Sequence, residues 1–228
     1  MSEPVVEPVI EPVAEPAPGP TAPNDPGTQP RQAHYFATPQ GQAEHRTVQI
    51  TLAGRDVEVV TADGVFSGGR LDLGTRVLLR EVPAPPTGDL LDLGCGWGPL
   101  ALTMGLLAPG AQVWAVDVNE RALALTRSNA ARLKLTGVHA CLPQEVPDDV
   151  RFTTIWSNPP IRVGKAELHR MLLHWLPRLT PDGVAYLVVQ RHLGADSLHS
   201  WLQAELGTQF SVTRAGSAKG YRVLRLAR

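Results

Sequence analysis

From residue 90 onward, the chain alternates short apolar runs with longer segments whose apolar residues recur every three or four positions. Short apolar runs are typical of buried strands, and the longer period is typical of amphipathic helices. The pattern predicts strands at residues 90–93, 113–116, 138–142, 152–156, 184–190, 210–214 and 222–226. It predicts helices at 100–107, 122–135, 166–176 and 198–206. Strands separated by helices indicate right-handed crossovers and a mainly parallel sheet.

The two ends of this pattern differ from its middle. Only a glycine-rich link, residues 215–220, separates the last two strands, so the final strand should run antiparallel. Upstream, residues 47–52 and 56–61 alternate apolar and polar side chains around a short turn, which predicts a hairpin. Thr75 is placed to cap a short helix. A turn is expected at 181–183.

The predicted fold class is therefore α/β. It is a Rossmann-like, seven-stranded, mostly parallel sheet with helices on both faces and an antiparallel last strand, preceded by a small β-hairpin.

The first 30 residues do not fit this domain. They hold nine of the 21 prolines and no Lys or Arg, and Glu-Pro recurs every four residues from Glu3 to Pro16. Such a segment buries little and cannot form a regular hydrogen-bond ladder, so we expect an extended, solvated tail at 1–33. A partner-docking role is the alternative. The domain then spans 34–228, with the hairpin and a substrate loop at 34–75 and the Rossmann-like core at 76–228.

The net charge of the predicted domain differs from that of the whole chain, which is −1. Residues 1–30 hold five acids and no base, so residues 31–228 carry 21 basic and 17 acidic side chains, a net charge of +4. Residues 210–228 contain five basic side chains and no acid. This suits a polyanion such as RNA, although an ordinary solvated surface would look the same.

The chain has only two cysteines, which predict neither a disulfide framework nor a metal site. It has no apolar stretch that resembles a signal peptide or a membrane span, so we expect a cytoplasmic protein with no membrane partner.

A glycine-rich turn follows the first core strand, at the sheet edge where ligands bind in such folds. It reads Asp92-Leu93-Gly94-Cys95-Gly96-Trp97-Gly98. Its spacing differs from that of a dinucleotide-binding turn, and Asp92 would repel a pyrophosphate but attract an ammonium group. Asp117 ends the next strand, 23 residues after Gly94, where an acid commonly binds ribose hydroxyls. Capping of the following helix is the alternative, but Asn119 is available for that.

Asn158-Pro159-Pro160-Ile161 follows the predicted strand 152–156. The side-chain oxygen of Asn158 and the carbonyl of Pro159 can both accept hydrogen bonds, and two prolines fix the local backbone. Together these acceptors can hold the two N–H bonds of an exocyclic amine. The tetrapeptide therefore points to methyl transfer onto an –NH2 group, with a plain strand-ending turn as the alternative.

Together these motifs resemble the class I S-adenosylmethionine-dependent methyltransferases that modify amino nitrogens. The resemblance is closer still to the small methyltransferase domain of the 16S ribosomal RNA guanine-N2 methyltransferases and their single-domain archaeal relatives. It is carried by residues 34–36, 63–67, 71–75, 92–98, 158–165 and 220–224.

The resemblance implies S-adenosyl-L-methionine as cofactor and RNA as partner, either rRNA or a ribosomal subunit. It would place the cofactor against Thr75, Asp92, Gly94, Cys95, Gly96, Asp117 and Val118. The catalytic residues would be Asn158, Pro159, Pro160 and Ile161, and the substrate would contact Phe66, Arg162 and Lys165.

The chain departs from the family pattern after the strand 138–142. Cys141-Leu142-Pro143-Gln144 stands where an acid usually contacts the cofactor's adenine, so that contact is unassigned. The bacterial guanine-N2 enzymes carry a degenerate duplicate domain ahead of the active one, which we expect this chain to lack, so the RNA target is open.

Ile161 replaces the aromatic residue usual in adenine- and glutamine-methylating relatives, which favours guanine N2. The alternative methylation targets are adenine N6, a protein glutamine and a small molecule. The alternative to an enzyme is an inactive cofactor-binding module associated with RNA.

Overall fold

The computed structural model describes residues 44–63, 65 and 70–228. The predicted tail at 1–33, the His-Tyr-Phe stretch at 34–36 and Phe66 all lie outside the described residues.

Nine strands and five α-helices are present in these ranges. The strands are β1 His45–Leu52, β2 Arg55–Ala62, β3 Asp89–Leu93, β4 Gln112–Val116, β5 Val138–Cys141, β6 Phe152–Ser157, β7 Leu179–Gln190, β8 Ser211–Ala218 and β9 Tyr221–Ala227. The helices are α1 Leu73–Glu81, α2 Pro99–Leu107, α3 Glu120–Arg132, α4 Lys165–Trp175 and α5 Ala195–Leu206.

The core is a seven-stranded sheet in the order β5-β4-β3-β6-β7-β9-β8. Strands β3 to β7 pair in parallel, and β9 pairs antiparallel with both β7 and β8. This confirms the predicted fold class, including the antiparallel last strand. The carboxyl ends of β3, β4, β5, β6, β7 and β8 therefore meet at one edge of the sheet, together with the start of β9.

Helices cover both faces of the sheet, because the central strands are apolar on both sides. On one face, Leu91 and Leu93 pack with Leu172 of α4 and Leu202 of α5. On the other face, Leu90 packs with side chains of α1 and α2. The sheet edge that carries the motifs is thus held rigidly from both sides.

The β1–β2 hairpin forms a separate small sheet that packs on α3. Its turn places Ala53 and Gly54 at φ 49° and 73°, the two positive φ angles of a type I′ hairpin turn. Buried Asn129 of α3 accepts the Val60 N–H at 2.7 Å and donates to the Val60 carbonyl at 2.9 Å. The same amide nitrogen donates to the Trp97 carbonyl at 3.1 Å. Asn129 therefore ties the hairpin to the glycine-rich turn.

The sequence pattern placed one helix cap wrongly. Thr75 lies inside α1 and does not cap it; Asp72 is the cap, and its carboxylate accepts the N–H groups of Gly74 and Thr75 at 2.8 and 3.2 Å. An aspartate is as good an N-cap as threonine and stands one residue before the first helical turn.

Two strand boundaries also differ from the prediction. Residues 181–183, expected as a turn, lie within β7, where the register against β6 shifts between Phe152 and Thr154. The expected link 215–220 is mostly strand, because β8 continues to Ala218 and only Lys219 and Gly220 form the turn. Both differences arise from pairing with a neighbouring strand, which tolerates the irregular register and overrides local glycine and proline signals.

Candidate active site

A cavity of about 740 Å³ opens at the edge where the carboxyl ends of the parallel strands meet. Small-molecule sites are typically about 300–1,000 Å³ in volume. The cavity lining brings together most of the residues singled out in the sequence: Thr75, Asp92, Gly94, Cys95, Gly96, Asp117, Val118, Asn158, Pro159, Pro160, Ile161 and Arg162. Lys165 instead lines a neighbouring cleft of about 30 Å³, together with Ile161 and Leu193.

The glycine-rich turn is held by backbone hydrogen bonds to β4. The N–H groups of Gly94 and Cys95 donate to the Val116 carbonyl at 2.8 and 3.0 Å. Gly98 has a φ of 96°, and a Cβ there would lie 2.9 Å from the Thr126 side chain, so α2 can approach α3 closely only with glycine. Gly96, at φ 57°, has nothing within 4 Å of a Cβ position, which leaves open space beside the backbone for a ligand.

Asp92 presents a buried carboxylate to this cavity. One oxygen, Oδ2, accepts the Ala101 N–H at 2.8 Å, while Oδ1 is buried and has no partner among the described residues. Burial, with a smaller contribution from the charge of Asp117, raises the pKa of Asp92 to about 8. A buried polar atom without a partner is costly unless a ligand satisfies it. A bound ammonium group would supply that donor.

Asp117, which follows β4, lies beside the glycine-rich turn. Its two carboxylate oxygens accept the N–H groups of Gly96 at 2.9 Å and Asn119 at 3.0 Å. Asn119, not Asp117, caps α3 by accepting the N–H groups of Arg121 and Ala122. Each oxygen of Asp117 retains a further lone pair that can accept from a ligand hydroxyl. Burial raises the pKa of Asp117.

The Asn158 side chain is oriented by residues from α1 and its cap. Its amide nitrogen donates to Asp72 Oδ2 at 2.8 Å and to Thr75 Oγ1 at 3.1 Å. A carboxylate can only accept, so the contact with Asp72 fixes which end of the amide faces α1. Both amide hydrogens are used in this way. The carbonyl oxygen Oδ1 is therefore the group left to accept a hydrogen bond from a ligand in the cavity.

The rest of the tetrapeptide forms a tight turn opposite the glycine-rich turn. The Pro159 carbonyl accepts the Ile161 N–H at 2.8 Å, and Pro160 has φ −73° and ψ 78°, the angles of an inverse γ-turn. A carbonyl oxygen has two lone pairs, so Pro159 can accept a second hydrogen bond. Ser157 donates to the Leu93 carbonyl at 2.7 Å and so anchors the end of β6 to β3.

Comparison with known protein families decides what this arrangement belongs to. The family model of the methyltransferase small domain matches residues 56–225. The chain is a member of the methyltransferase small domain family.

Relatives of this methyltransferase domain include an uncharacterized protein of Bacillus subtilis, YbxB, which is 32% identical over 197 residues, covering 84% of this chain and 96% of that protein. Ribosomal RNA large subunit methyltransferase G of a Shewanella species is 32% identical over 147 residues, covering 60% of this chain and 39% of that protein. Ribosomal RNA small subunit methyltransferase C of Ectopseudomonas mendocina is 36% identical over 135 residues, covering 56% and 39% respectively. The chain thus matches about two fifths of the length of these two enzymes.

The methyltransferase fold is also that of the Thermus thermophilus 16S rRNA N2 methyltransferase RsmC, whose structure was solved with AdoMet and guanosine. The two superpose with a TM-score of 0.69 at 23% identity, covering 83% of this chain and 52% of that one.

The residues that line the cavity and received no role from the sequence include Asp72, Gln190 and Tyr221. A Cβ on Gly74 would lie 2.9 Å from both Asp72 Oδ2 and the Tyr221 ring, so β9 packs tightly against the start of α1. Burial and the charge of Asp72 raise the pKa of Tyr221. The capping pattern of α1 could have identified Asp72 as a residue at this edge.

The region after β5 presents no acid to the cavity. Pro143 lines the cavity there, and the Leu142 N–H donates to Glu145 Oε2 at 2.6 Å. In the described ranges, His, Cys, Asp and Glu form no metal-binding group of three or more. None of the described helices has the length and apolarity needed to cross a membrane.

Proposed function

We propose that the chain is an S-adenosylmethionine-dependent N-methyltransferase that modifies an exocyclic amine, the N2 of a guanine in ribosomal RNA. The observation that carries this proposal is the orientation of Asn158. Asp72 and Thr75 hold its amide nitrogen, which leaves Oδ1 as an acceptor beside the Pro159 carbonyl. Two acceptors at one cavity wall suit a donor with two N–H bonds.

The cofactor would occupy the part of the cavity between the glycine-rich turn and Asp117. The unpaired Oδ1 of Asp92 fits the cofactor's ammonium group, and the open space beside Gly96 admits its chain. The carboxylate of Asp117 fits the ribose hydroxyls, and Val118, whose side chain is 56% exposed, offers an apolar surface next to them. When bound, S-adenosylmethionine supplies a methyl group on a sulfonium, which is already activated for transfer.

The chain's own residues then hold and aim the amine. Hydrogen bonds to Asn158 Oδ1 and the Pro159 carbonyl favour pyramidal geometry at a nitrogen that is otherwise conjugated with its ring. They also stabilise the positive charge that develops on that nitrogen. Positioning of this kind can lower a barrier by about 7–11 kcal/mol, so no strong base is required and water can take the final proton.

Ribosomal RNA guanine is favoured as the target by two further observations. The matched relatives include enzymes named as large- and small-subunit ribosomal RNA methyltransferases. Ile161 lines the cavity with an apolar side chain that cannot stack as an aromatic ring would, which disfavours adenine N6 and glutamine.

Substitution of Asn158 by alanine tests the role of the tetrapeptide. Because the acceptor is removed and the cofactor region is left intact, we expect methylation to fall at least about 100-fold, the loss typical of one transition-state hydrogen-bonding group. The affinity for S-adenosylmethionine, measured by calorimetry, should change little. Unchanged turnover in Asn158→Ala would show that the amide does not hold the target amine.

The target is tested by offering cofactor with a labelled methyl group to ribosomal subunits, free rRNA and tRNA. Digestion to nucleosides should yield labelled N2-methylguanosine from rRNA or a subunit. Label in N6-methyladenosine or in protein alone would reject guanine in favour of a rival amine. Tight cofactor binding without label in any of these would indicate an inactive binding module.

A further inference from the structure

Two connections meet at one side of the cavity mouth. Residues 191–193 follow β7, and Lys219-Gly220 joins β8 to β9. The Arg191 N–H donates to the Gly220 carbonyl at 2.8 Å, so the two connections are tied together. They adjoin Gln190 and Tyr221, which line the cavity. Any strand of substrate that enters from this side must cross these connections.

Exposed cations mark this side of the mouth and continue toward α4. We use the name cationic rim for Arg162, Lys165, Arg191 and Lys219, all of which are exposed. The rim is continuous because Lys165 lines the same small cleft as Leu193, which lies two residues after Arg191. Leu193 is 38% exposed and also lines the main cavity, so an apolar side chain lies amid the cations.

The rim differs from the other basic residues near the end of the chain. Arg214 and Arg222 both pair with Asp196 of α5. Arg228 donates to the Leu179 carbonyl at 2.7 Å and lies over the Phe210 ring. Unlike the rim residues, these three arginines already have partners within the protein.

The charge of the rim, in contrast, is not neutralised within the protein. In the described part of the chain, no carboxylate lies within ion-pair distance of Arg162, Lys165, Arg191 or Lys219. Unpaired cations around the mouth of a cavity attract a polyanion and raise its local concentration.

We propose that the cationic rim binds the phosphate backbone of the RNA strand that carries the target base, with the strand crossing the mouth between the β8–β9 turn and the start of α4. This inference rests on the proposed function. RNA fits better than an acidic peptide, because the rim borders a cavity that must admit a flat base. Leu193 offers an apolar contact to a sugar or base between phosphate contacts. Phosphate contacts of this kind fix the register of the strand without reading its sequence.

The test uses the double variant Arg191→Gln, Lys219→Asn. Lys219 has a φ of 49°, and asparagine tolerates this left-handed conformation, so the turn should be kept while the charge is lost. Binding of a fluorescently labelled single-stranded RNA is measured by anisotropy over a salt series. Each lost phosphate contact lowers the salt slope by about 0.7, so we expect a fall of about 1.4 and roughly tenfold weaker binding at low salt. Affinity for S-adenosylmethionine should stay the same.

A matched control removes the same charges elsewhere. Lys134 also has a positive φ, 58°, is exposed, and precedes β5 at the opposite edge of the sheet; Arg55 is exposed at the hairpin turn. The variant Arg55→Gln, Lys134→Asn should bind the RNA as the wild type does. Equal weakening in both double variants, or none in the rim variant, would overturn the inference. So would equal competition by polyglutamate, which would show a surface for any polyanion.

The outcomes separate this inference from the proposed function. If the wild type methylates guanine in RNA but the rim variant binds normally, the function stands and the rim assignment is wrong. If RNA binding falls only in the rim variant while the wild type methylates no RNA, the rim is an RNA-binding surface and the proposed function is wrong.

Discussion

Asp72 links two parts of the active site with a single carboxylate oxygen. Oδ2 accepts N–H groups from Gly74, Thr75 and the Asn158 amide. The first two contacts cap α1, and the third orients the amide that we propose to hold the substrate. Because the two tasks use different donors, they can be separated by substitution.

Serine at position 72 should separate them. Serine caps helices as well as aspartate does, but its shorter side chain should not keep the contact with Asn158. The loss of one hydrogen bond to a charged group is worth about 1.5–3 kcal/mol, so kcat should fall roughly 10- to 100-fold. KM should change little, and because the cap is kept, any loss of stability should be limited to this one contact. Asp72→Ala is the companion variant, and it should lose about 1 kcal/mol of stability as well. Equal loss of stability in both variants would contradict separate tasks.

Asp92 makes the free protein sensitive to pH. Burial raises the pKa of this carboxyl from 3.8 to about 8, so the native state holds a proton that the unfolded state releases at neutral pH. The stability due to this proton is fully present below about pH 4 and is lost as pH rises through 8. The melting temperature of the free wild type should therefore fall more steeply between pH 6 and 9 than that of Asp92→Asn.

Cofactor binding should respond in the opposite direction. An ammonium group favours the ionised carboxylate, so the affinity of the wild type for S-adenosylmethionine should increase as pH rises toward 8. Calorimetry over the same pH range would check this, with Asp92→Asn as the reference that keeps every other titrating group. Parallel curves for the two proteins would mean that Asp92 does not titrate against the ligand.

At the scale of elements, the hairpin depends on α3 for its position. Asn129 makes three hydrogen bonds that join β2, α3 and the glycine-rich turn. An exposed ion pair, Glu58 with Arg132, joins the same strand and helix. The buried amide should matter far more than the exposed pair, because water cannot replace its contacts.

Alanine at position 129 should lower the free energy of unfolding by roughly 3 kcal/mol, since it leaves buried backbone groups without partners. Urea denaturation measures this. The control, Arg132→Ala, joins the same elements and should cost less than about 1 kcal/mol. Similar losses of unfolding free energy in the two variants would show that the exposed ion pair holds the hairpin on α3 as strongly as the buried amide does.

The strands and helices also show which features of the fold can be predicted from the sequence pattern. The order of strands and helices was predicted correctly, because in each element the buried apolar residues recur at the spacing typical of a strand or a helix. The predicted bounds of β3, β4 and β6 lie close to the observed bounds. The extents of β7 and β8 were wrong because neighbouring strands supply their hydrogen bonds. Local glycine and proline signals carry no information about such partners.

For the whole molecule, the parallel topology explains why most of the residues singled out in the sequence line one cavity. Residues that end β3, β4 and β6 are far apart in sequence but must meet at one sheet edge, and they line one cavity. Contacts made by the segment ahead of the sheet were not predictable in this way. Asp72 precedes β3, the first strand of the seven-stranded sheet, and the pattern of apolar and polar positions gives no sign that it contacts Asn158.

That contact has a consequence for the order of folding. Asp72 and Asn158 are 86 positions apart, so their hydrogen bond closes a long loop and needs both α1 and the end of β6 in place. A refolding chain should therefore regain its far-ultraviolet circular dichroism before it regains methylation in an interrupted-refolding assay. Simultaneous recovery would contradict this order. The amide that we propose to hold the substrate is then among the last features of the native state to appear, and a chain that has only its secondary structure should not methylate.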